Sequence, residues 1–179
     1  MAPIARRYFI KNGFDGSMTV LGIVVGSWTV GVTRPEIIVT AGLGACLAMG
    51  VSGLFGAYMT ERAERKNRLK SLEAAMLTDL SNSIHQDASN FASVYAAVID
   101  GASPMLTATI SLIPFIFTRS GMFVISDAYI ASLILTLATL FSFGLYLGRI
   151  AKENILLYGL QTVASGLLIV SIIFLLGAI

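Results

Sequence analysis

Five uncharged apolar runs, at 16–33, 37–60, 101–118, 128–148 and 155–179, leave this chain few ways to fold. A helix crosses the hydrocarbon core of a bilayer with about 20 mostly apolar residues, and each run is close to or above that length. With 56% hydrophobic and 12% charged residues, the chain is more apolar than a soluble domain, which holds roughly 45–50%. The expected fold is therefore all-α, a polytopic membrane protein with five transmembrane helices. Residues 1–179 form a single transmembrane domain, and 61–90 form a cytoplasmic amphipathic helical insert within it. The basic start followed by an apolar run resembles a signal peptide, but Gly31-Val32-Thr33-Arg34-Pro35 offers no small-residue cleavage site and more spans follow. The first run is read as a retained helix.

Arg34-Pro35-Glu36 joins the first two runs so tightly that they form a helical hairpin. Placing the N-terminus in the cytoplasm puts Arg6, Arg7, Lys11, Arg62, Arg65, Lys66, Arg68, Lys70, Arg149 and Lys152 inside, against Arg34 and Arg119 outside. Ten basic residues against two orient the chain with its C-terminus extracytoplasmic. Within 61–90, Leu69, Leu72, Met76, Leu80 and Ile84 recur at steps of three or four residues. That pattern predicts an amphipathic helix continuing the second span. Its basic residues would face lipid headgroups, or it would form a cap binding metal or a partner. Asp15-Gly16 and Asp100-Gly101 both stand at the inner start of outward-running helices, a weak sign of two related hairpins plus a fifth helix.

Asp15 and Asp100 are the first functional candidates. A carboxylate beginning an apolar span is costly unless it pairs, stays wet or binds a cation, although the helix dipole also favours an acid at a helix start. Helical spacing puts Asp15, Thr19, Gly22 and Gly26 on one face, with Met18 on its flank. A carboxylate, a hydroxyl and a thioether suit a divalent transition metal. Gly22-x-x-x-Gly26 equally suits close helix packing, as does Gly144-x-x-x-Gly148 in the fourth run. In the third run Asp100, Ser103, Thr107 and Ser111 share a face, and Pro104 and Pro114 interrupt the helix. Each proline withdraws the hydrogen bond of a carbonyl four residues earlier, and freed carbonyls suit cations. Ser132, Thr136 and Thr139 are read as hydroxyls that bond between or within helices. Cys46, the lone cysteine, is read as a packed small hydrophobe.

Glu61, Glu64 and Glu73, followed by Asp79, His85 and Asp87, could collect metal on the cytoplasmic segment. Glu61 and Glu64 can also pair with Arg65 and Arg68 at a spacing of four. Enzyme signatures are missing: the chain has no H-E-x-x-H, G-x-S-x-G or P-loop, and one His with one Cys makes no zinc cluster. Transport would then be passive or coupled to an ion gradient, with no permanently bound cofactor and no nucleic-acid partner.

Several stretches are similar to the vacuolar iron transporter family: Asp15-Gly16, the run from Ala48 through Gly53-Leu54-Phe55-Gly56 to Tyr58, Asp100-Gly101, Ile113-Pro114-Phe115, and Gly148-Arg149 through Tyr158-Gly159. The resemblance covers nearly the whole chain in order. It implies a five-helix homodimer exchanging ferrous iron or a related divalent metal for protons, with a path between paired first helices and a metal-gathering cytoplasmic cap. Asp15 matches the family's pore aspartate. Ala45, Gly53 and Ala57 stand where the family's second helix carries two glutamates and a methionine, and Met18, Met49, Met59 or Asp100 would have to replace them. The expected function is export of Fe²⁺ or Mn²⁺ from the cytoplasm by proton antiport. The path would use Asp15, Met18, Thr19, Asp100, Ser103 and Thr107, and the metal ligands would be Asp15, Met18, Glu61, Glu64 and Glu73. The alternatives are a same-fold transporter of another substrate, or a membrane scaffold whose segment 62–70 binds lipid or a partner protein.

Overall fold

The computed structural model describes residues 2–77, 84–122 and 124–177. They form five helices: α1 (Ala2–Thr29), α2 (Pro35–Met76), α3 (Ile84–Arg119), α4 (Ile125–Ala151) and α5 (Ile155–Gly177), with no strand among the described residues. Four of them, α2 to α5, are long and apolar enough to cross a membrane. The exception is α1, which carries Asn12, Asp15, Ser17 and Thr19 along its middle. It packs against all four other helices, so protein rather than lipid surrounds much of it and buries Ser17.

Turns follow local chemistry. Gly31 takes φ +71, and its amide and that of Val32 bond back to the carbonyls of Trp28 and Ser27 at 3.0 Å, closing α1. Pro35 then opens α2, where its missing N–H costs nothing. The Asn154 side chain caps α5 by accepting from the amides of Leu156 and Leu157 at 3.1 and 3.2 Å. The α1–α2 turn is tied to α4 by the Tyr129 hydroxyl, which donates to the Val32 carbonyl at 2.7 Å while its ring stacks on Trp28.

Helix α2 runs without interruption from the apolar run to Met76, as the periodicity suggested, and α3 already begins at Ile84. Segment 61–90 is thus two helical arms, one ending α2 and one starting α3. Leu80 and Asp79 lie outside the described residues, as do the side chains of Ile84 and His85. Leu72 and Met76 are exposed in the single chain. Pro104 and Pro114 also depart from expectation, since both sit inside a continuous α3.

Two apolar cores flank α1. One joins Val20, Val24, Ile38, Cys46, Leu112, Phe115 and Tyr129, which gives Cys46 the packing role expected. The other joins Leu21, Val25 and Leu140 with Met18, Leu137 and Ile173 at its edge. Between α3 and α4 lies a buried hydroxyl network. Ser132 donates to the Ser111 carbonyl at 2.6 Å, and the Thr136 hydroxyl lies 2.7 Å from both the Ser111 hydroxyl and the Ser132 carbonyl. Ser111→Ala removes the link to Thr136 and is expected to cost about 1 kcal/mol, read as a small fall in Tm in detergent. Thr139 instead bonds to its own helix at the Leu135 carbonyl.

Glycines set the tightest crossings. A Cβ at Gly16 would lie 2.6 Å from the Pro104 Cα, and one at Gly101 would lie 2.6 Å from the Gly50 carbonyl oxygen. Both Asp-Gly pairs therefore place an acid beside a backbone-to-backbone crossing, Asp15 where α1 meets α3 and Asp100 where α3 meets α2. Gly144 packs against Tyr158 and Gly159, and Gly148 against Ile155, so this pair forms the α4–α5 seam. Gly22 and Gly26 form no such seam within the chain: only Ile173 approaches Gly22, at 3.9 Å, and nothing lies within 4 Å of Gly26.

Candidate functional site

Asp15 stands on the exposed side of α1, where α1 and α2 diverge around a cavity of about 420 Å³ lined by Asn12, Asp15, Ala48, Met49, Ser52 and Gly53 from these helices and Pro104 from α3. Helical geometry explains the wall on α1, because Asn12 lies one turn before Asp15. On α2, Met49, Ser52 and Gly53 share a face for the same reason. The Thr19 hydroxyl donates to the Met49 sulfur at 3.4 Å, so Thr19 serves this cavity by holding its thioether.

A second cavity of about 270 Å³ continues toward the N-terminal end of α1. It shares Asn12, Ser52 and Gly53 with the first and adds Asp100, Lys11 and Tyr8. Asp100 is 6% exposed, and its Oδ1 has no hydrogen-bond partner. Lys11 and Asp15 are both within electrostatic reach of it. Ala57, one of the positions where the resemblance expects a ligand, lines this cavity, and Gly53 lines both.

Of the other expected path residues, Ser103 and Thr107 are buried. The Ser103 hydroxyl donates to the Ile99 carbonyl, and the Thr107 hydroxyl lies 3.3 Å from the carbonyls of Ser103 and Pro104. Thr107 packs against Gly13 and Gly16. Thr107 thus belongs to the α1–α3 crossing, and neither residue lines the two cavities. Met18 packs toward α4 and α5 at the edge of the second core and does not line the Asp15 cavity.

The glutamates of the α2 arm are divided between two grooves. Glu61 accepts from the Tyr8 hydroxyl at 2.8 Å and pairs with Arg65 at 2.8 Å, the ordinary pairing that its spacing allowed. Burial and this bond to Glu61 raise the Tyr8 pKa, so Tyr8 remains a protonated donor. Glu61 and Glu64 line one groove with Arg7, Arg65 and Arg68, whereas Glu73 lines another with Arg62, Lys66 and Lys70. Among the described residues no three carboxylate, imidazole or thiol groups converge as a metal site.

Sequence reasoning missed Asn12 and Ser52, which wall both cavities. Their signal was present, since Asn12 is one turn from Asp15 and Ser52 one turn from Met49, but uncharged polar residues are common in membrane helices. The VIT family model matches residues 63–178, more than half of the chain. The chain belongs to the VIT family. Its members are transporters, so membership points to metal-ion transport rather than catalysis, and with the apolar helices it makes this an integral membrane protein. An uncharacterized protein of Methanocaldococcus jannaschii is 30% identical over 173 residues, covering 95% of this chain and 87% of its own length. That similarity reaches beyond the family match, which begins after Asp15 and the apolar part of α2.

Proposed function

We propose that this VIT family member is a secondary transporter that moves a divalent cation of the Fe²⁺ or Mn²⁺ class out of the cytoplasm in exchange for protons. The observation that carries the reading is Asp15, an acid set partway along α1 in an open cavity with the Asn12 amide, the Met49 thioether and the Ser52 hydroxyl. This donor set mixes hard oxygens with one soft sulfur, which suits a first-row divalent ion better than Mg²⁺ or Ca²⁺. A carboxylate that binds metal at one stage and a proton at another couples the two fluxes, because both compete for the same oxygens.

The reading takes α1 as the fifth span and the N-terminus as cytoplasmic, following the ten-to-two distribution of basic residues. The arms at the end of α2 and the start of α3 then lie in the cytoplasm, as the inner part of a single transmembrane domain. Their basic residues, Arg62, Lys66 and Lys70, suit anionic headgroups at that surface. Uptake of Mn²⁺ and Fe²⁺ into proteoliposomes, with and without a pH gradient, tests the function. A flux that saturates and follows the gradient supports it, and no flux from folded protein refutes it.

One Asp15 carboxylate offsets only half the charge of a divalent ion, and the uncovered α1 face bearing Asp15, Gly22 and Gly26 is suited to a second copy. The functional unit in this reading is a homodimer in which two Asp15 side chains converge. Gly26→Leu has room in the single chain and is expected to leave its fold intact while halving the particle mass measured by light scattering in detergent. An unchanged dimer mass would place the interface elsewhere.

A further inference from the structure

Asp100 presents an arrangement that the Asp15 reading does not use. Its carboxylate is buried, with an unpartnered Oδ1, and Oδ2 lies 2.8 Å from the point where a Cβ on Gly53 would stand. The backbone carbonyl of the same residue lies 3.3 Å from that point. That carbonyl has lost its helical donor, because the residue four places on is Pro104, which has no N–H. The absence of a side chain at 53 lets Oδ2 and the carbonyl lie close to α2, while Oδ1 is buried without a partner and the carbonyl lacks its helical amide. Asn12 and Ser52 add an amide oxygen and a hydroxyl to the same cavity wall.

Buried acceptors without donors are unfavourable unless something positive meets them. Desolvated oxygens gathered from a carboxylate, a carbonyl, an amide and a hydroxyl are what a hard cation selects, and no sulfur lines this cavity. We propose that Asp100 and its carbonyl, with Asn12 and Ser52, form a second cation site. It is an all-oxygen inner station between the cytoplasm and Asp15, for hard divalent ions of the Mn²⁺ or Mg²⁺ type. The inference rests on the transport reading for its place on a route, but not for its chemistry.

The charged and titratable neighbours set how such a site works. From α1 it is faced by Tyr8 and Lys11, with Asp15 in the adjoining cavity. From α2 come only Ser52, Gly53, Gly56, Ala57 and Thr60, since Glu61 beyond them is held by Tyr8 and Arg65. Among the described residues Lys11 is therefore the one cation lining this cavity, and its ammonium competes with an arriving ion for Asp100. Removing that ammonium tightens ion binding, whereas removing the carboxylate weakens it.

Mn²⁺ binding to the purified full chain in detergent, followed through the loss of the free-ion electron paramagnetic resonance signal, tests the site. Asp100→Asn is expected to weaken one component of binding by about tenfold or more, through loss of ligand charge, while Asp15→Asn leaves that component in place. Gly53→Ala should weaken the same component, because its new methyl displaces Oδ2. Lys11→Gln should strengthen it, a change of sign that damage to the fold would not produce. Binding by Asp100→Asn equal to the native chain, or weakening in Lys11→Gln, overturns the proposal. If instead Asp15→Asn still carries Mn²⁺ in proteoliposomes, the transport reading at Asp15 fails while the Asp100 site stands on its binding data.

Discussion

Asp15→Ala is expected to abolish saturable divalent-metal flux in proteoliposomes while leaving the protein folded. The side chain is exposed on α1 at the edge of a cavity, so its removal opens no void in either apolar core. Its loss removes the one charge among the donors of that cavity, since Asn12, Met49 and Ser52 are neutral. Substitutions one shell outside a metal commonly weaken binding 10–100-fold, so loss of a direct charged ligand should lower flux by at least about 100-fold. Uptake of Mn²⁺ measured beside the thermal stability of the same preparation checks both halves. Retained flux would remove Asp15 from the path, and lost stability would make it a structural residue.

Gly144→Val should be the most damaging single substitution to the fold. A Cβ there would lie 2.5 Å from the Tyr158 carbonyl oxygen and 2.6 Å from the Gly159 Cα. These are backbone atoms of a packed helix, so no rotamer relieves the clash and α5 must move away from α4. Overpacking of this kind costs about 3 kcal/mol, a fall in Tm of roughly 10 °C for a chain of this size. The Thr162 hydroxyl, which donates to the Leu140 carbonyl at 2.9 Å across the same seam, loses its geometry as well. Gly44→Ala is the control: nothing lies within 4 Å of that position, and its Tm should stay near that of the native chain. If both variants unfold alike, the α4–α5 seam is not what glycine serves.

Much of the architecture was legible because a bilayer allows few solutions. Uncharged runs of spanning length must become helices there, since no other open structure satisfies its own backbone bonds in lipid. The continuity of α2 beyond the apolar run was readable from Leu69, Leu72 and Met76, and the buried state of Cys46 from its surroundings in sequence. Reading the prolines was less successful. Pro104 and Pro114 remain inside one helix, because losing single amide donors does not break a helix that its neighbours hold on several sides.

The site was legible only in outline. Asp15 and Asp100 stood out as acids at the edge of apolar runs, where charge is expensive. Met18 could be placed on the flank of the Asp15 face, yet which flank opens to a cavity depends on where α2 and α4 pack, and Met18 turned toward α4 and α5. Met49, distant in sequence, took the place beside Asp15, with Thr19 holding its sulfur. Glu61 has the composition of a metal ligand, but Tyr8 and Arg65 occupy it, and Tyr8 reaches it across 53 positions of sequence.

From its residues alone, the chain was determined to be a helical membrane protein, with most of its basic residues outside the apolar runs and two acids, Asp15 and Asp100, beside the starts of apolar runs. These properties depend on local hydrophobicity and period, which a sequence states directly. Only the tertiary structure decided that Asn12, Ser52 and Gly53 join the surroundings of Asp15 and Asp100 in adjoining cavities, and that the Asp100 carboxylate is buried against Gly53 with Oδ1 lacking a partner. Those outcomes depend on the crossing points of α1, α2 and α3, which follow from side chains and glycines on three helices at once and from no single stretch of the chain.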